Sequence, residues 1–239
     1  KMTNMDQNKI FELQKSFFDK LDKKLSILFD IGANVGDITN EYATLIPDAE
    51  IFCFEPIPKT FEILKKRYDS TSRIHCHQLA IGDINKNVTM FETALSGSSS
   101  LLPPTSYITE SKNSAMAQGV TIVNSHNVKQ ITLDSFCKEN NISHIDILKM
   151  DMQGSELNGL KGASLLLDEK KIDLIYTEVL FSDLYENQCY YHDIASFLYK
   201  KNYKLFDLVF SINSDDGKLY YGDAIFLSPA LMKLYPTFV

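Results

Sequence analysis

Charged side chains between residues 149 and 178 have the types and spacing that acid–base chemistry needs. Lys149 and Asp151 are two residues apart in an apolar run, so both would lie on one face of a strand. Glu156 follows in the predicted first turn of a helix, where the helix dipole favours a carboxylate for stability alone. Glu178 ends the next apolar run. Because neighbouring parallel strands end side by side, we predict that Asp151 and Glu178 face one pocket.

Two mechanisms fit these four residues. In the one that we favour, a carboxylate, preferably Asp151, accepts a proton from a substrate hydroxyl. Lys149 would then hold a substrate oxygen or tune the pKa of the base. In the alternative, Asp151 and Glu178, with or without Glu156, bind Mg²⁺ or Mn²⁺, and the cation acidifies the hydroxyl. Two histidines are further candidates for the base, His126 and His192.

A turn between a predicted strand and a predicted helix is a candidate ligand-binding loop. It reads Asp30-Ile-Gly-Ala-Asn-Val-Gly36. A P-loop is excluded because no lysine follows Gly36, and a dinucleotide-binding loop would have glycine at Asn34. Asparagine tolerates left-handed backbone geometry, so the turn can still form. The pattern fits the nucleoside loop of S-adenosylmethionine (SAM)-dependent methyltransferases, because Asp30 suits a cationic sulfonium ligand and would repel a pyrophosphate.

Two later segments would complete a nucleoside site. Glu55, which precedes Pro56, ends the second predicted strand, where a carboxylate can accept hydrogen bonds from two ribose hydroxyls. Nicotinamide enzymes use the same device, so Glu55 alone does not identify the ligand. The turn after the third predicted strand would lie beside the adenine. The predicted cofactor-binding residues are Asp30, Gly32, Ala33, Asn34, Gly36, Glu55, Pro56, Ala80, Gly82 and Asp83.

Apolar runs that alternate with helical periodicity predict the elements that position these residues. In the first third, the predicted helices are 6–21, 37–45 and 60–68, and the predicted strands are 27–31, 50–54 and 73–81. In the last part, the predicted strands are 145–150, 172–177, 203–210 and 221–227, and the predicted helices are 154–162 and 190–201. The last two strands would be joined by a turn at 215–217 and form an antiparallel hairpin.

The middle of the chain has a less regular pattern. Strands are predicted at 87–91, 119–123 and 128–132, followed by a short helix that Asp134 caps and that runs through Asn140. The segment 96–119 is rich in Ser, Gly and Pro. We predict that it covers the substrate site, and a solvated linker is the alternative. The alternation as a whole predicts an α/β domain with a parallel sheet of about seven strands. We expect residues 1–24 to be a helical extension and residues 25–239 to be the domain.

Composition excludes several classes of protein. The chain has 239 residues, a net charge of −7 and four dispersed cysteines without a C-x-x-C pair. The negative charge argues against general nucleic-acid binding, and the cysteine pattern indicates free thiols in a reducing cytoplasm. No uninterrupted apolar run approaches the roughly 18–20 residues of a membrane span, and the polar start lacks the core of a signal peptide.

Several motifs in order give the chain a resemblance to the FkbM-like family of class I (Rossmann-like) SAM-dependent methyltransferases. The motifs are 29–36, 54–56, 79–83, 98–101, 132–134, Glu178, 222–226 and the segment Ile145-Asp-Ile-Leu-Lys-Met-Asp-Met-Gln-Gly-Ser-Glu156. The last segment is the most family-specific. The resemblance implies an open, mostly parallel seven-stranded sheet of order 3-2-1-4-5-7-6, with helices on both faces and a C-terminal antiparallel strand. It also implies SAM as donor and O-methylation, often of sugars.

We therefore predict a SAM-dependent O-methyltransferase whose acceptor is a hydroxyl of a sugar in a glycan or a glycosylated metabolite. The alternatives are a nicotinamide-dependent oxidoreductase, a non-catalytic SAM-binding protein and an RNA 2′-O-methyltransferase. The RNA alternative should show a basic cluster, and the local ones are short, at 65–67 and 170–171. We expect no nucleic-acid partner and no membrane span, and the chain could act as a homodimer or as a module of a larger glycan-synthesis protein.

Overall fold

The computed structural model describes residues 7–110, 114–213 and 217–235. In these ranges the chain forms ten strands, ten α-helices and a 3₁₀ turn at Ser96–Ser98. The strands are β1 (Ile27–Ile31), β2 (Glu50–Phe54), β3 (Ile74–His77), β4 (Ala80–Ile81), β5 (Lys86–Thr93), β6 (Ile122–Ile131), β7 (Ile145–Met150), β8 (Ile172–Leu180), β9 (Lys204–Asn213) and β10 (Leu219–Leu227). The helices are α1 (Gln7–Asp19), α2 (Asp37–Leu45), α3 (Pro58–Tyr68), α4 (Ser106–Thr109), α5 (Ser114–Gly119), α6 (Leu133–Glu139), α7 (Glu156–Lys161), α8 (Ser164–Asp168), α9 (Tyr191–Lys200) and α10 (Pro229–Met232).

Seven strands form the main sheet, in the order β3-β2-β1-β7-β8-β10-β9. The pairs from β3 through β8 are parallel, and β10 is antiparallel to both β8 and β9. Counting only these strands along the chain gives the order 3-2-1-4-5-7-6. The predicted α/β fold class, with its antiparallel C-terminal strand, is confirmed.

A second, three-stranded sheet of order β4-β6-β5 corrects two predictions. The predicted third strand, 73–81, is two strands, because Ala80–Ile81 leaves the main sheet and pairs in parallel with the end of β6. The predicted strands 119–123 and 128–132 are parts of one strand, since β6 pairs with β5 along its length, from Lys86 opposite Gln130 to Thr93 opposite Ile122.

The segment 96–119 is more ordered than its composition predicts. It contains the 3₁₀ turn, α4 and α5. Bridges between Phe91 and Ser100 and between Pro104 and Tyr185 fasten it to β5 and to the loop after β8. The backbone N–H of Thr105 also donates to the carbonyl of Leu184. These contacts hold the segment against the carboxyl ends of the main sheet.

Two local predictions were wrong. Asp134 does not cap α6, because Thr132 accepts the backbone N–H of Ser135. The Asp134 carboxylate instead accepts the N–H groups of residues 165 and 166, at the start of α8. Glu178 does not end β8, because β10 pairs with that strand as far as Leu180 and extends it.

Helices cover both faces of the main sheet and enclose two hydrophobic clusters. One cluster lies under α6–α9 and contains Phe29, Phe54 and Leu148. The other lies under α1, α2 and α3, and α1 contributes Phe17 and Phe18, which are fully buried. Burying a Phe side chain contributes about 1.5–3 kcal/mol, so α1 is an integral part of the core.

Two parts of the predicted elements lie outside the described residues. They are residue 6, at the start of the first predicted helix, and residues 215 and 216 of the predicted turn at 215–217.

In the part of the chain that the structure describes, no helix combines the length and apolarity that crossing a membrane requires.

Candidate active site

A cavity of about 610 Å³, its open mouth included, lies at the carboxyl ends of β1, β2 and β7. This is where open α/β sheets bind ligands. Apolar side chains of the second sheet and of the segment 96–119 close one side. The lining residues are Ile31, Gly32, Asn34, Phe54, Glu55, Pro56, Ile57, Leu79, Ala80, Ile81, Met90, Ser96, Gly97, Ser99, Leu101, Asp151, Met152, Gln153 and Ser155.

The loop after β1 turns sharply into the cavity wall. Gly32 has φ +71°, and a Cβ there would lie 1.9 Å from the backbone oxygen of Asp151, so only glycine fits. Asn34 has φ +49°, which confirms that asparagine takes the left-handed geometry. The Oδ1 atom of Asn34 is buried and has no hydrogen-bond partner among the described residues. A bound ligand with a hydrogen-bond donor would satisfy it.

Glu55 lies at the end of β2 and contributes a carboxylate to the cavity. Its Oε1 accepts the N–H of Ile57 at 2.8 Å, and its Oε2 accepts the N–H of Asn34 at 3.1 Å. Burial raises the pKa of Glu55 to about 7. The two backbone donors fix the carboxylate while each oxygen keeps a lone pair for a ligand hydroxyl.

Asp30 and Lys149 form a buried ion pair beneath the loop, with 2.9 Å between Nζ and Oδ1. Lys149 also donates to the carbonyls of Ile31 at 3.3 Å and Gly32 at 3.0 Å. Thr39 donates to the other oxygen of Asp30 at 2.6 Å. The Lys149 ammonium is therefore directed at Asp30 and at the loop carbonyls, which corrects the expectation that it holds a substrate oxygen. The ammonium of Lys149 neutralises the charge of Asp30. Neither of these two residues lines the cavity.

Asp151 and Glu178 lie close together, but only Asp151 lines the cavity, and Gln153, a residue without a predicted role, lies between them. The Nε2 atom of Gln153 donates to Oδ1 of Asp151 at 2.8 Å and to the oxygens of Glu178 at 3.1 and 3.2 Å. Burial and the charge of Asp151 raise the pKa of Glu178 well above its ordinary value. Asp151 lines the cavity, and Glu178 lies behind Gln153.

Asp223 is a further carboxylate of this region that sequence reasoning missed. It lies opposite Glu178 in the pairing of β10 with β8 and accepts the hydroxyl of Tyr176 at 2.8 Å. Burial raises the pKa of Asp223 to about 6. Asp223 lies in 222–226, one of the motifs that carry the family resemblance, and that position was the sequence signal that could have identified it.

Glu156 lies away from the cavity and supports the loop between β7 and α7. Its carboxylate accepts the N–H of Met152 at 2.7 Å and of Gly154 at 3.1 Å. It is 1% exposed, and burial raises its pKa to about 7. This arrangement corrects the expectation that Glu156 acts on the substrate or holds a cation.

The predicted cofactor residues divide into two groups. Those that line the cavity are Gly32, Asn34, Glu55, Pro56 and Ala80. Those that do not are Asp30, Ala33, Gly36, Gly82 and Asp83, of which Asp83 is exposed. The histidine candidates are also elsewhere, since His126 pairs with Glu92 and the side chain of His192 is 77% exposed.

One group of potential metal ligands occurs among the described residues, and it differs from the predicted one. His144, Asp146 and Asp173 lie at the amino ends of β7 and β8, with ligand atoms within 4.8 Å of one another. The ammonium of Lys23 lies among them, 2.8 Å from Asp146, 3.1 Å from His144 and in contact with Asp173. A lysine thus already supplies the positive charge that a cation would bring.

The sequence is similar to those of known methyltransferases. Residues 30–205 match the sequence model of the methyltransferase FkbM domain. The 2-O-methyltransferase NoeI from Sinorhizobium fredii (strain NBRC 101917 / NGR234) is 28% identical over 178 residues, 74% of this chain and 72% of that protein. Methyltransferase 1 from Beauveria bassiana is 26% identical over 157 residues, 63% of this chain and 61% of that protein. The chain thus spans less than two thirds of the second relative.

Two solved methyltransferase structures align with most of this chain at low TM-scores and low sequence identity. M. capricolum TrmK, in complex with S-adenosylhomocysteine (SAH), has a TM-score of 0.47 and 14% identity, over 91% of this chain and 68% of that one. Magnesium protoporphyrin IX methyltransferase (ChlM) from Synechocystis PCC 6803, with bound SAM, has a TM-score of 0.47 and 8% identity, over 93% of this chain and 79% of that one.

The family match covers well over half of the chain. It begins at Asp30, before the loop, and includes Glu55, the Asp151 segment and Glu178. The chain belongs to the FkbM methyltransferase family and is a SAM-dependent methyltransferase with the class I, Rossmann-like fold.

Proposed function

We propose that this methyltransferase transfers a methyl group to a hydroxyl of a sugar, in a glycan or a glycosylated metabolite. One observation carries the proposal: Asp151, our candidate proton acceptor, lines the same cavity as Glu55, our candidate ribose-binding residue. The similarity to a 2-O-methyltransferase supports a hydroxyl acceptor. The sugar class comes from the family resemblance in the sequence.

The part of the cavity beside Glu55 and Asn34 suits the nucleoside of SAM. Glu55 would accept the ribose hydroxyls, and the unsatisfied Oδ1 of Asn34 would accept a donor from the ligand. Ile57, Ile81 and Met90 supply an apolar surface that suits an adenine ring. SAM supplies an activated methyl group there, so the protein needs only to align the acceptor and remove its proton.

Asp151 is our candidate for the base that accepts the hydroxyl proton. The alternative, in which Asp151 and Glu178 hold Mg²⁺ or Mn²⁺, has less support from the contacts. The Nε2 donor of Gln153 occupies the space between the two carboxylates, so a cation there would require that amide to turn away. We expect methyl transfer in the presence of EDTA, and strict dependence on an added cation would overturn this choice.

A panel of acceptors with labelled SAM tests the proposal. Neutral monosaccharides and their methyl glycosides are incubated with the protein, and mass spectrometry identifies methylated products. Short RNA oligonucleotides serve as the rival class, and methylation of RNA alone would overturn the sugar assignment. Calorimetric titrations with SAH and with NAD separate a methyltransferase site from an oxidoreductase site.

Glu55 provides a specific test of where the nucleoside binds. Glu55→Ala removes the proposed ribose hydrogen bonds, so SAH binding should weaken by roughly 1.5–3 kcal/mol. Asp83→Ala is the matched control, because the exposed Asp83 does not line the cavity and its variant should bind SAH normally. Equal affinities of the wild type and Glu55→Ala in calorimetry would show that the ribose lies elsewhere.

A further inference from the structure

Gln153 occupies an unusual position between the cavity and the carboxylates. It follows β7 in a left-handed backbone conformation, with φ +53°, and Gly154 continues the turn with φ +96°. A non-glycine residue in this conformation carries strain, which the surroundings must offset. The side chain lines the cavity on one side and contacts two acidic side chains on the other.

The contacts of Gln153 fix which way its amide points. The hydroxyl of Tyr185 lies 2.6 Å from Oε1, and the carboxylates of Asp151 and Glu178 accept from Nε2. If the amide were reversed, its oxygen would face two carboxylates. The hydroxyl of Ser100 also donates to the backbone carbonyl of Gln153 at 2.7 Å, so the segment 96–119 helps to fix this turn.

The surrounding charges explain why a neutral donor is needed here. Glu178 faces acidic groups from three elements, namely Asp151 after β7, Glu156 of α7 and Asp223 of β10. The nearby Lys149 is already paired with Asp30. With two hydrogens, the Gln153 amide can donate to both carboxylates at once and offset part of their repulsion.

We propose that Gln153 is a positioning residue: its amide joins Asp151 and Glu178 into one paired acid–base group beside the cavity, and Tyr185 holds that amide in its working orientation. The role of the pair in catalysis rests on the proposed function. Because Ser98 and Ser100 contact the same network, the segment that covers the cavity also sets the arrangement of the pair. The arrangement leaves Asp151 at the cavity, where it can accept a hydroxyl proton.

The test measures the titration of the Glu178 carboxyl by ¹³C NMR in the full chain, with the signal assigned from Glu178→Gln. Gln153→Met keeps the approximate size but removes both donors, so the Glu178 titration should move to higher pH. Gln153→Glu adds a third carboxylate and should move it further. Tyr185→Phe leaves Gln153 in place but releases its Oε1, and should give a smaller shift in the same direction. This last variant keeps the test valid if a change at Gln153 prevents folding.

Gln130→Met is the matched control for losing an amide. Gln130 is buried and donates to the backbone carbonyl of Ile84, away from the carboxylates, so its variant should leave the Glu178 titration in place. An unchanged titration in the Gln153 variants, or an equal shift in Gln130→Met, would overturn the positioning role. SAH binding is measured in parallel on the wild type. Failure to bind SAH would reject the proposed function without affecting the titration result.

Discussion

The strands β7 and β8 carry acidic residues at both ends, and the two ends differ in what surrounds them. At the amino ends, Asp146 and Asp173 contact the ammonium of Lys23. At the carboxyl ends, Asp151 and Glu178 share a neutral amide donor, Gln153. The acidic residues at the two ends therefore lie in different electrostatic environments, with a cation at the amino ends and a neutral amide at the carboxyl ends.

The pKa values follow this difference. Burial alone would raise the pKa of Asp173, but hydrogen bonds and charges from His144 and Lys23 outweigh it and lower the pKa. For Glu178 burial acts together with the charge of Asp151, and the pKa rises. The amino ends thus form a neutralised clamp, whereas at the carboxyl ends burial and the neighbouring carboxylate favour the protonated form of Glu178. The neighbours of a buried acid thus decide the direction in which its pKa shifts.

Asp151→Asn should produce the largest effect. It removes the proposed base but keeps the size of the side chain, so methyl transfer to the best sugar of the panel should fall roughly 10²–10⁴-fold. Unfolding by urea should show little loss of stability, because one of two repelling carboxylates is gone. Asp83→Asn serves as the control, since Asp83 is exposed. A fall of less than about threefold would remove Asp151 from the mechanism.

Lys149→Met should cause the next largest effect, this time on stability. The change leaves Asp30 as an uncompensated charge with no exposed surface, which typically costs about 3–5 kcal/mol. Lys15→Met removes a surface ion pair with Asp19 and should change the free energy of unfolding by less than 1 kcal/mol. Denaturant titrations compare the two variants. Similar losses for both would mean that the Asp30–Lys149 pair does not specially stabilise the loop after β1.

Lys23→Met tests the clamp at the amino ends. We expect a loss of about 1–2 kcal/mol, smaller than at Lys149, because the side chain of Lys23 is 36% exposed. Because the folded pKa of Asp173 is lowered, its contribution is present above its ordinary pKa and is lost as the pH falls. The variant should therefore lose less stability between pH 7 and pH 3 than the wild type does. SAH binding should not change, and impaired binding would contradict the separation of the two ends.

Local sequence patterns were sufficient to predict the elements that surround the cavity. The bounds of β1, α2, β2 and β7 agree with prediction, because buried parallel strands are short apolar runs between turn residues. The loop glycine, Gly32, and the carboxylate of Glu55 follow from the same motifs. These features depend on residues that are close together in the sequence, so a local pattern is enough to predict them.

Features that depend on distant pairing could not be predicted in this way. Ala80 and Ile81 follow β3 after only two residues, and their pairing with β6 places them in the second sheet. Lys149 shares a strand face with Asp151, but its partner Asp30 comes from β1. Gln153 was visible in a family-like motif, yet its role appears only when β7, β8 and the loop carrying Tyr185 come together.

Glu178→Gln should have the smallest effect and tests the carboxyl ends by stability alone. A carboxyl whose folded pKa is raised keeps its proton while the unfolded chain ionises, so the folded state loses stability as the pH rises above the ordinary Glu value. Removing Glu178 should therefore make the decline in stability between pH 5 and pH 8 shallower than in the wild type. Part of the decline should remain, because Glu55 and Glu156 have pKa values of about 7. The exposed Glu62 gives the control, and Glu62→Gln should follow the wild-type curve. If Glu178→Gln followed it too, the carboxyl ends would be no less neutralised than the amino ends, and the contrast between them would not hold.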